Sequence, residues 1–178
     1  MSIGMDHAGI VRRIARSNHR RIGFVPLLGK DADPLAISPV VEGLAAGVTG
    51  YVPGDVALIP SWKLWKSDLS EAPAPDGPPR MNIREIRPRL VRVMPPPSPD
   101  AFAAGEALGR TLELLPEDFQ RVLIDLGGYA ARGEPPPMLW MVDAVVLMVA
   151  RRDVRLAEAA ALAPQIPDRK RLGAILLG

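Results

Sequence analysis

Short apolar runs alternate along this chain with longer stretches in which apolar residues recur at helical spacing. Arg21–Leu28 (RIGFVPLL), Asp55–Ile59 (DVALI), Leu90–Met94 (LVRVM), Arg121–Asp125 (RVLID), Ala144–Ala150 (AVVLMVA) and Leu172–Leu177 (LGAILL) carry apolar side chains at consecutive positions. Such runs predict strands buried on both faces, as in a parallel sheet covered by helices. Helical spacing predicts helices over Ser38–Ala46, Ser98–Leu115 and Val154–Ala163. In the second of these, Ser98 reads as the capping residue, with Pro99 in the first turn. Residues 1–20, rich in arginine, predict a basic N-terminal helix.

Alternation of strand and helix predicts an α/β fold: a mostly parallel open sheet flanked by helices in three layers, with ligands beyond the carboxyl ends of the strands. Prolines mark the connections, because a fixed φ and a missing N–H bar them from helix interiors and central strands. They crowd into Ala72–Pro79, Pro95–Pro99 and Pro135–Pro137. Residues 66–82 read as a Pro-rich loop within an irregular excursion over Trp62–Asn82. The whole of 1–178 reads as one domain without internal repeats.

Composition narrows the function classes. With 48% hydrophobic residues the chain is globular, and no apolar run reaches the roughly 18 residues of a membrane-spanning helix. The first residues lack the apolar core of a secretory signal, which predicts a cytoplasmic location. Net charge is +2, from 22 Lys+Arg against 20 Asp+Glu, too even a balance to predict nucleic-acid binding. Absence of cysteine removes thiolate metal sites and a cysteine nucleophile. His7 and His19 stand apart from any acid pair at ligand spacing, so no metal centre is expected.

One carboxylate remains to be placed. In FQRVLIDLGGYA, Phe119 to Ala130, Asp125 ends an apolar strand before a Gly-Gly pair. An acid there either orients magnesium, as in P-loop nucleotidases, or closes the strand and caps the turn at Gly127–Gly128.

The span Leu90–Leu177 resembles the C-terminal part of the MinD/ParA-like P-loop class, and most closely the cytoplasmic domain of bacterial polysaccharide tyrosine kinases. The motifs that carry the resemblance are LVRVMPPP, then FQRVLIDLGG, then VDAVVLMVARRDVRLAEAAAL and a last GAILLG. They put Phe119, Asp125, Asp143 and Val149 where that family has its Walker-B strand and the strand after it. The resemblance implies a P-loop NTPase-like fold and a phosphate-binding loop in the first half, where this chain reads PLLGKDADPLAISPVVEGLAA.

That loop departs from the pattern. Ser38 keeps the magnesium-binding hydroxyl, but Ile37 stands at the lysine position and Ala36 at the glycine position. Gly29 and Lys30 form a displaced Gly-Lys, followed by Asp31 and Asp33, whose charge opposes a triphosphate. After DVALI the family has an acidic motif; here stand Pro60, Ser61 and Trp62. The degenerate nucleotide site is therefore Gly29, Lys30, Ser38 and Asp125, with no catalytic residue and no cofactor beyond weak ATP–Mg binding.

The family's Glu-x-x-Arg-x-x-Arg helix, which joins neighbouring subunits, retains Arg13 and Arg16 with Ile10 at the acid position. Trp62 and Trp65, beside Lys63 and Lys66, read evenly as cover for the sheet edge or as exposed interface anchors. The resemblance and its departures imply a pseudokinase: a scaffold or regulator of bacterial exopolysaccharide or cellulose-type assembly. The expected contacts are with itself, with an inner-membrane polysaccharide protein, or peripherally with the membrane. Two alternatives are an active kinase or ATPase that uses Lys30 and Asp125, and a MinD/ParA-like positioning ATPase.

Overall fold

A computed structural model describes residues 7–27, 33–66, 81–129, 137–150 and 163–177. Seven strands form one sheet in the order β3-β4-β2-β5-β1-β6-β7: β1 Arg21–Leu27, β2 Val56–Ile59, β3 Asn82–Arg87, β4 Leu90–Met94, β5 Arg121–Asp125, β6 Ala144–Ala150 and β7 Arg171–Leu177. Every pairing is parallel except that of β3 with β4. The α-helices among the described residues are α1 His7–Arg16, α2 Ser38–Thr49 and α3 Ala101–Leu114.

The period of two in each strand sorts its side chains into two cores. Ile22 and Phe24 of β1, Val56 and Leu58 of β2, and Leu123 of β5 pack with Ile10 and Ile14 of α1 and with Val41 and Leu44 of α2. On the opposite face Val25, Ala57, Val122 and Ile124 pack with Leu108 and Leu112 of α3. This gives the expected three layers. Gly23 faces the second core because a Cβ there would meet Leu126 Cδ1 at 2.7 Å.

β5 occupies the middle of the sheet, between β2 and β1. From β1 the chain moves to β2 and then to the β4 side; from β5 it moves the other way, to β6 and β7. The direction of winding reverses around β1 and β5, and in open α/β sheets the crevice beyond the carboxyl ends at such a point is where ligands bind.

Three sequence expectations are corrected here. β3, reading NIREIR, is a strand that no apolar pattern announced, since its residues are almost all exposed at the sheet edge. It extends into the excursion expected to be irregular, whose residues 67–80 lie outside the described residues. Trp62–Lys66 is a 3-10 helix rather than loop. The third helix is capped by Asp100, whose side chain accepts from Ala103 N at 2.9 Å, while Ser98 Oγ instead donates to Pro96 O. The helix expected over Val154–Ala163 lies almost wholly outside the described residues.

Asp143 is exposed, yet it serves the fold. Its Oδ2 accepts from the backbone N–H groups of Arg20 and Arg21 at 3.0 and 2.7 Å, fixing the entry to β1.

Because Asp100 supplies the cap of α3, Asp100→Ala should cost about 1 kcal/mol. For a chain of this length that lowers the melting temperature by about 2–4 °C. Thermal unfolding followed by circular dichroism reads it, and an unchanged midpoint counts against the cap.

Candidate functional site

Two residues at opposite ends of β5 project toward the α1/α2 layer. Arg121, at its start, donates to the carbonyls of Ile14, Ala15 and Ser17 at 3.1, 2.8 and 2.6 Å, so a cation closes the C-terminal end of α1. Asp125, at its finish, lies beside the first turn of α2, where Ser38 Oγ donates to its Oδ2 at 2.5 Å. Its Oδ1 accepts from Gly127 N at 2.8 Å, and the Ser61 backbone makes a further hydrogen bond to the carboxylate.

Asp125 is 1% exposed. Burial raises its pKa to about 6, and the hydrogen bonds from Ser38, Gly127 and Ser61 only partly oppose that rise. The carboxylate is therefore held at a cost in its ionised form at neutral pH. That is the pattern of perturbed acids in functional clefts, and here it coincides with the turning point of the sheet.

A cleft of about 170 Å³ opens beside it, between α2 and the ends of β2 and β4. Ser38 and Asp125 line it, together with Glu42 and Arg92, which form an ion pair at 2.9 Å. Leu58, Leu64 and Met94 supply apolar wall. Neither Glu42 nor Arg92 was singled out in the sequence. The available signal was Arg92 itself, a lone cation inside the apolar strand LVRVM.

Of the expected nucleotide-site residues, Ser38 and Asp125 come together, whereas Gly29 and Lys30 lie outside the described residues. Ile37, at the lysine position, has no exposed surface and belongs to the core between α2 and the sheet.

The tryptophans are not exposed anchors. Trp62 is 9% and Trp65 2% exposed. Trp62 Nε1 donates to Gly128 O and Trp65 Nε1 to Pro60 O, both at 2.9 Å. Both rings pack on Tyr129, with centroids 6.4 Å apart in each case. Ser61 Oγ donates to Gly127 O at 2.6 Å. Together these contacts strap the segment after β2 onto the turn after β5. Gly128, at φ +84°, admits the strap: a Cβ there would stand 3.0 Å from Trp62 Nε1. The interface role expected of Trp62 and Trp65 is corrected accordingly, since their surfaces and indole N–H groups are used internally. Tyr129 ends up buried, its hydroxyl without a partner among the described residues. Burial and the nearby Asp125 charge push its pKa well above the usual value.

Arg13 and Arg16 are exposed on α1 and, with Gly9, Arg12 and Ser17, line an open groove of about 480 Å³. Arg13 Nη1 donates to Leu172 O at 2.7 Å, tying the helix to β7. Among the described residues neither Arg12, Arg13 nor Arg16 is in a salt bridge. The described residues contain no cluster of three or more potential metal-binding side chains and no helix long and apolar enough to cross a membrane.

An open, mostly parallel seven-stranded sheet with helices on both faces, turning around an acid-tipped central strand, has a P-loop NTPase-like architecture. Among solved structures it is similar to a BceF tyrosine kinase domain, with a TM-score of 0.61 over 97% of this chain and 74% of that one. Identity is 15%, so the likeness shows the fold. No protein-family model and no curated protein matches the chain.

The pKa of Asp125 yields a stability prediction. Folded, the group holds its proton more tightly than unfolded, where 3.8 is the ordinary value. Its contribution to stability is therefore full below about pH 4 and is lost as pH rises through about 6. The total loss is roughly 3 kcal/mol. Asp125→Asn removes this term while the other carboxylates titrate alike in both proteins. Urea unfolding at about pH 4 and about pH 7 should show the variant gaining on the parent, by up to roughly 3 kcal/mol, as pH rises. A constant difference refutes the burial cost.

Proposed function

We propose that this chain is a non-catalytic relative of the polysaccharide tyrosine kinases, a scaffold or regulator of bacterial exopolysaccharide or cellulose-type assembly rather than a phosphotransferase. The observation that carries the reading is the start of α2. A P-loop site needs a lysine there, reaching the terminal phosphates, and a hydroxyl free to hold magnesium. This chain has Ile37, buried in the core, and a Ser38 hydroxyl bonded to Asp125. After β2 come Pro60, Ser61 and Trp62, so the second acid of the family's magnesium site is also missing. Losing one electrostatic group from a phosphoryl-transfer site typically costs on the order of a hundredfold or more in rate, and here several are gone.

Asp125 is then a former Walker-B acid that serves structure, joining β5, α2 and the Gly127–Gly128 turn. Association falls to the arginine face of α1, centred on Arg13 and Arg16. Its partner is a second copy or an inner-membrane polysaccharide protein, with peripheral contact to an anionic membrane as a further consequence of the same charge.

Magnesium-dependent ATP hydrolysis should be absent and ATP affinity no better than about millimolar. Calorimetry showing micromolar ATP binding that disappears in Asp125→Ala overturns the non-catalytic reading in favour of an active enzyme using Lys30.

Charge reversal at Arg13 and Arg16 should weaken association, and the parent's own association should weaken as salt rises. Gel filtration and pull-down from membranes read this. Trp62→Ala and Trp65→Ala should instead lower the melting temperature, at a cost of about 3–5 kcal/mol each, because both rings are core. Unchanged association in the double arginine variant sinks the assignment of that face.

A further inference from the structure

The cleft beside Asp125 is poorly suited to phosphate. Its inner carboxylate is buried, whereas the Glu42–Arg92 pair is about one-third exposed and balances its own charge. Among the described lining residues Asp125 is thus the one uncompensated charge. A carboxylate has about four acceptor positions. Ser38, Gly127 and Ser61 take three of them, and no other described residue takes the fourth.

A volume of about 170 Å³ holds about five or six waters at their share of the liquid. So few waters solvate a buried anion poorly, and Leu58, Leu64 and Met94 offer them nothing. A ligand with one cationic donor and a compact apolar body satisfies both parts of the wall at once. Magnesium fits less well, because it demands a near-octahedral oxygen shell, while Asp125 is already heavily engaged and Glu42 is paired with Arg92. A triphosphate is opposed by both size and charge.

We propose that this cleft binds a small organic monocation, with an ammonium or amidinium head on Asp125 and a body of about benzene size against Leu58, Leu64 and Met94. The inference rests on the preceding reading in one respect: no nucleotide phosphate occupies the start of α2. Its ligand head is recognised by charge and by one hydrogen bond, so the neutral isostere of any ligand is rejected. Among the described residues the titratable groups around Asp125 are Glu42 on α2, Arg92 on β4, Tyr129 in the turn after β5 and Lys63 in the strap, whose aliphatic carbons approach Gly128.

Calorimetric titration with benzamidine and with neutral benzamide tests the proposal. Benzamidine should bind at about millimolar affinity, at least about tenfold tighter than benzamide. Asp125→Asn should erase that preference while the circular dichroism spectrum is unchanged. In the parent, benzamidine affinity should fall about tenfold between about pH 8 and about pH 5, as Asp125 takes up its proton. This second readout decides the matter should the variant fail to fold. Equal binding of the two compounds, a preference that survives in Asp125→Asn, or a flat pH profile overturns the proposal. A parallel titration with magnesium–ATP separates the two readings. Tight nucleotide binding defeats the non-catalytic assignment, whereas indifference to benzamidine with no nucleotide binding defeats the cation site alone.

Discussion

One face of one strand sets the geometry of the α1/α2 layer. β5 lies at the middle of the sheet, and its first and last residues, Arg121 and Asp125, both project toward the two helices on that side. A cation meets the carbonyl end of α1 and an anion meets the amide end of α2, which is the sense in which helix dipoles are stabilised. The spacing follows from the strand alone: residues four apart share a face and stand about 13 Å apart. The helix ends are thus held at a separation that β5 dictates. The cost of the arrangement falls on Asp125, whose carboxylate is taken out of water to make it.

On the non-catalytic reading we propose, the same residue accounts for a P-loop-like frame that works without nucleotide chemistry. A hydroxyl and a carboxylate that face each other across a magnesium ion can, once the ion's other ligands are gone, bond directly. Ser38 Oγ donates directly to Asp125 Oδ2 at 2.5 Å, the contact that this reading requires. Ile37 then serves the core better than a lysine could, since it fills space without bringing a charge into it. Likeness to a kinase domain at 15% identity is compatible with this, because a fold constrains where side chains stand and not which ones they are.

Much of this frame was legible in the sequence, and the exceptions share a cause. β4, β5 and β6 have the bounds that their apolar runs predicted, because strands buried on both faces leave an unbroken hydrophobic signal. β3 left none, since an edge strand exposed on both faces, reading NIREIR, looks like loop. Asp100 rather than the proline-flanked Ser98 is the cap, since both side chains suit the role and only backbone geometry separates them. Local sequence could not decide whether Trp62 and Trp65 face water, because their partners, Gly128 and Tyr129, lie more than sixty positions along the chain. The pairing of Ser38 with Asp125 was accessible only through family resemblance. Arg92 stood out as a lone cation in an apolar strand, but its pairing with Glu42 was not legible, since it depends on which strand lies beside β2 in the sheet.

β3 also bears on how the molecule behaves in a crowd. A sheet margin with free backbone groups invites a neighbouring chain to add a strand, the first step toward amorphous precipitate or fibre. Here the margin displays Arg84, Glu85 and Arg87 on a strand interrupted by a register shift between Glu85 and Arg87. An incoming strand would have to match alternating charges and an irregular ladder, so end-to-end growth at that side is discouraged even where many copies are packed close together.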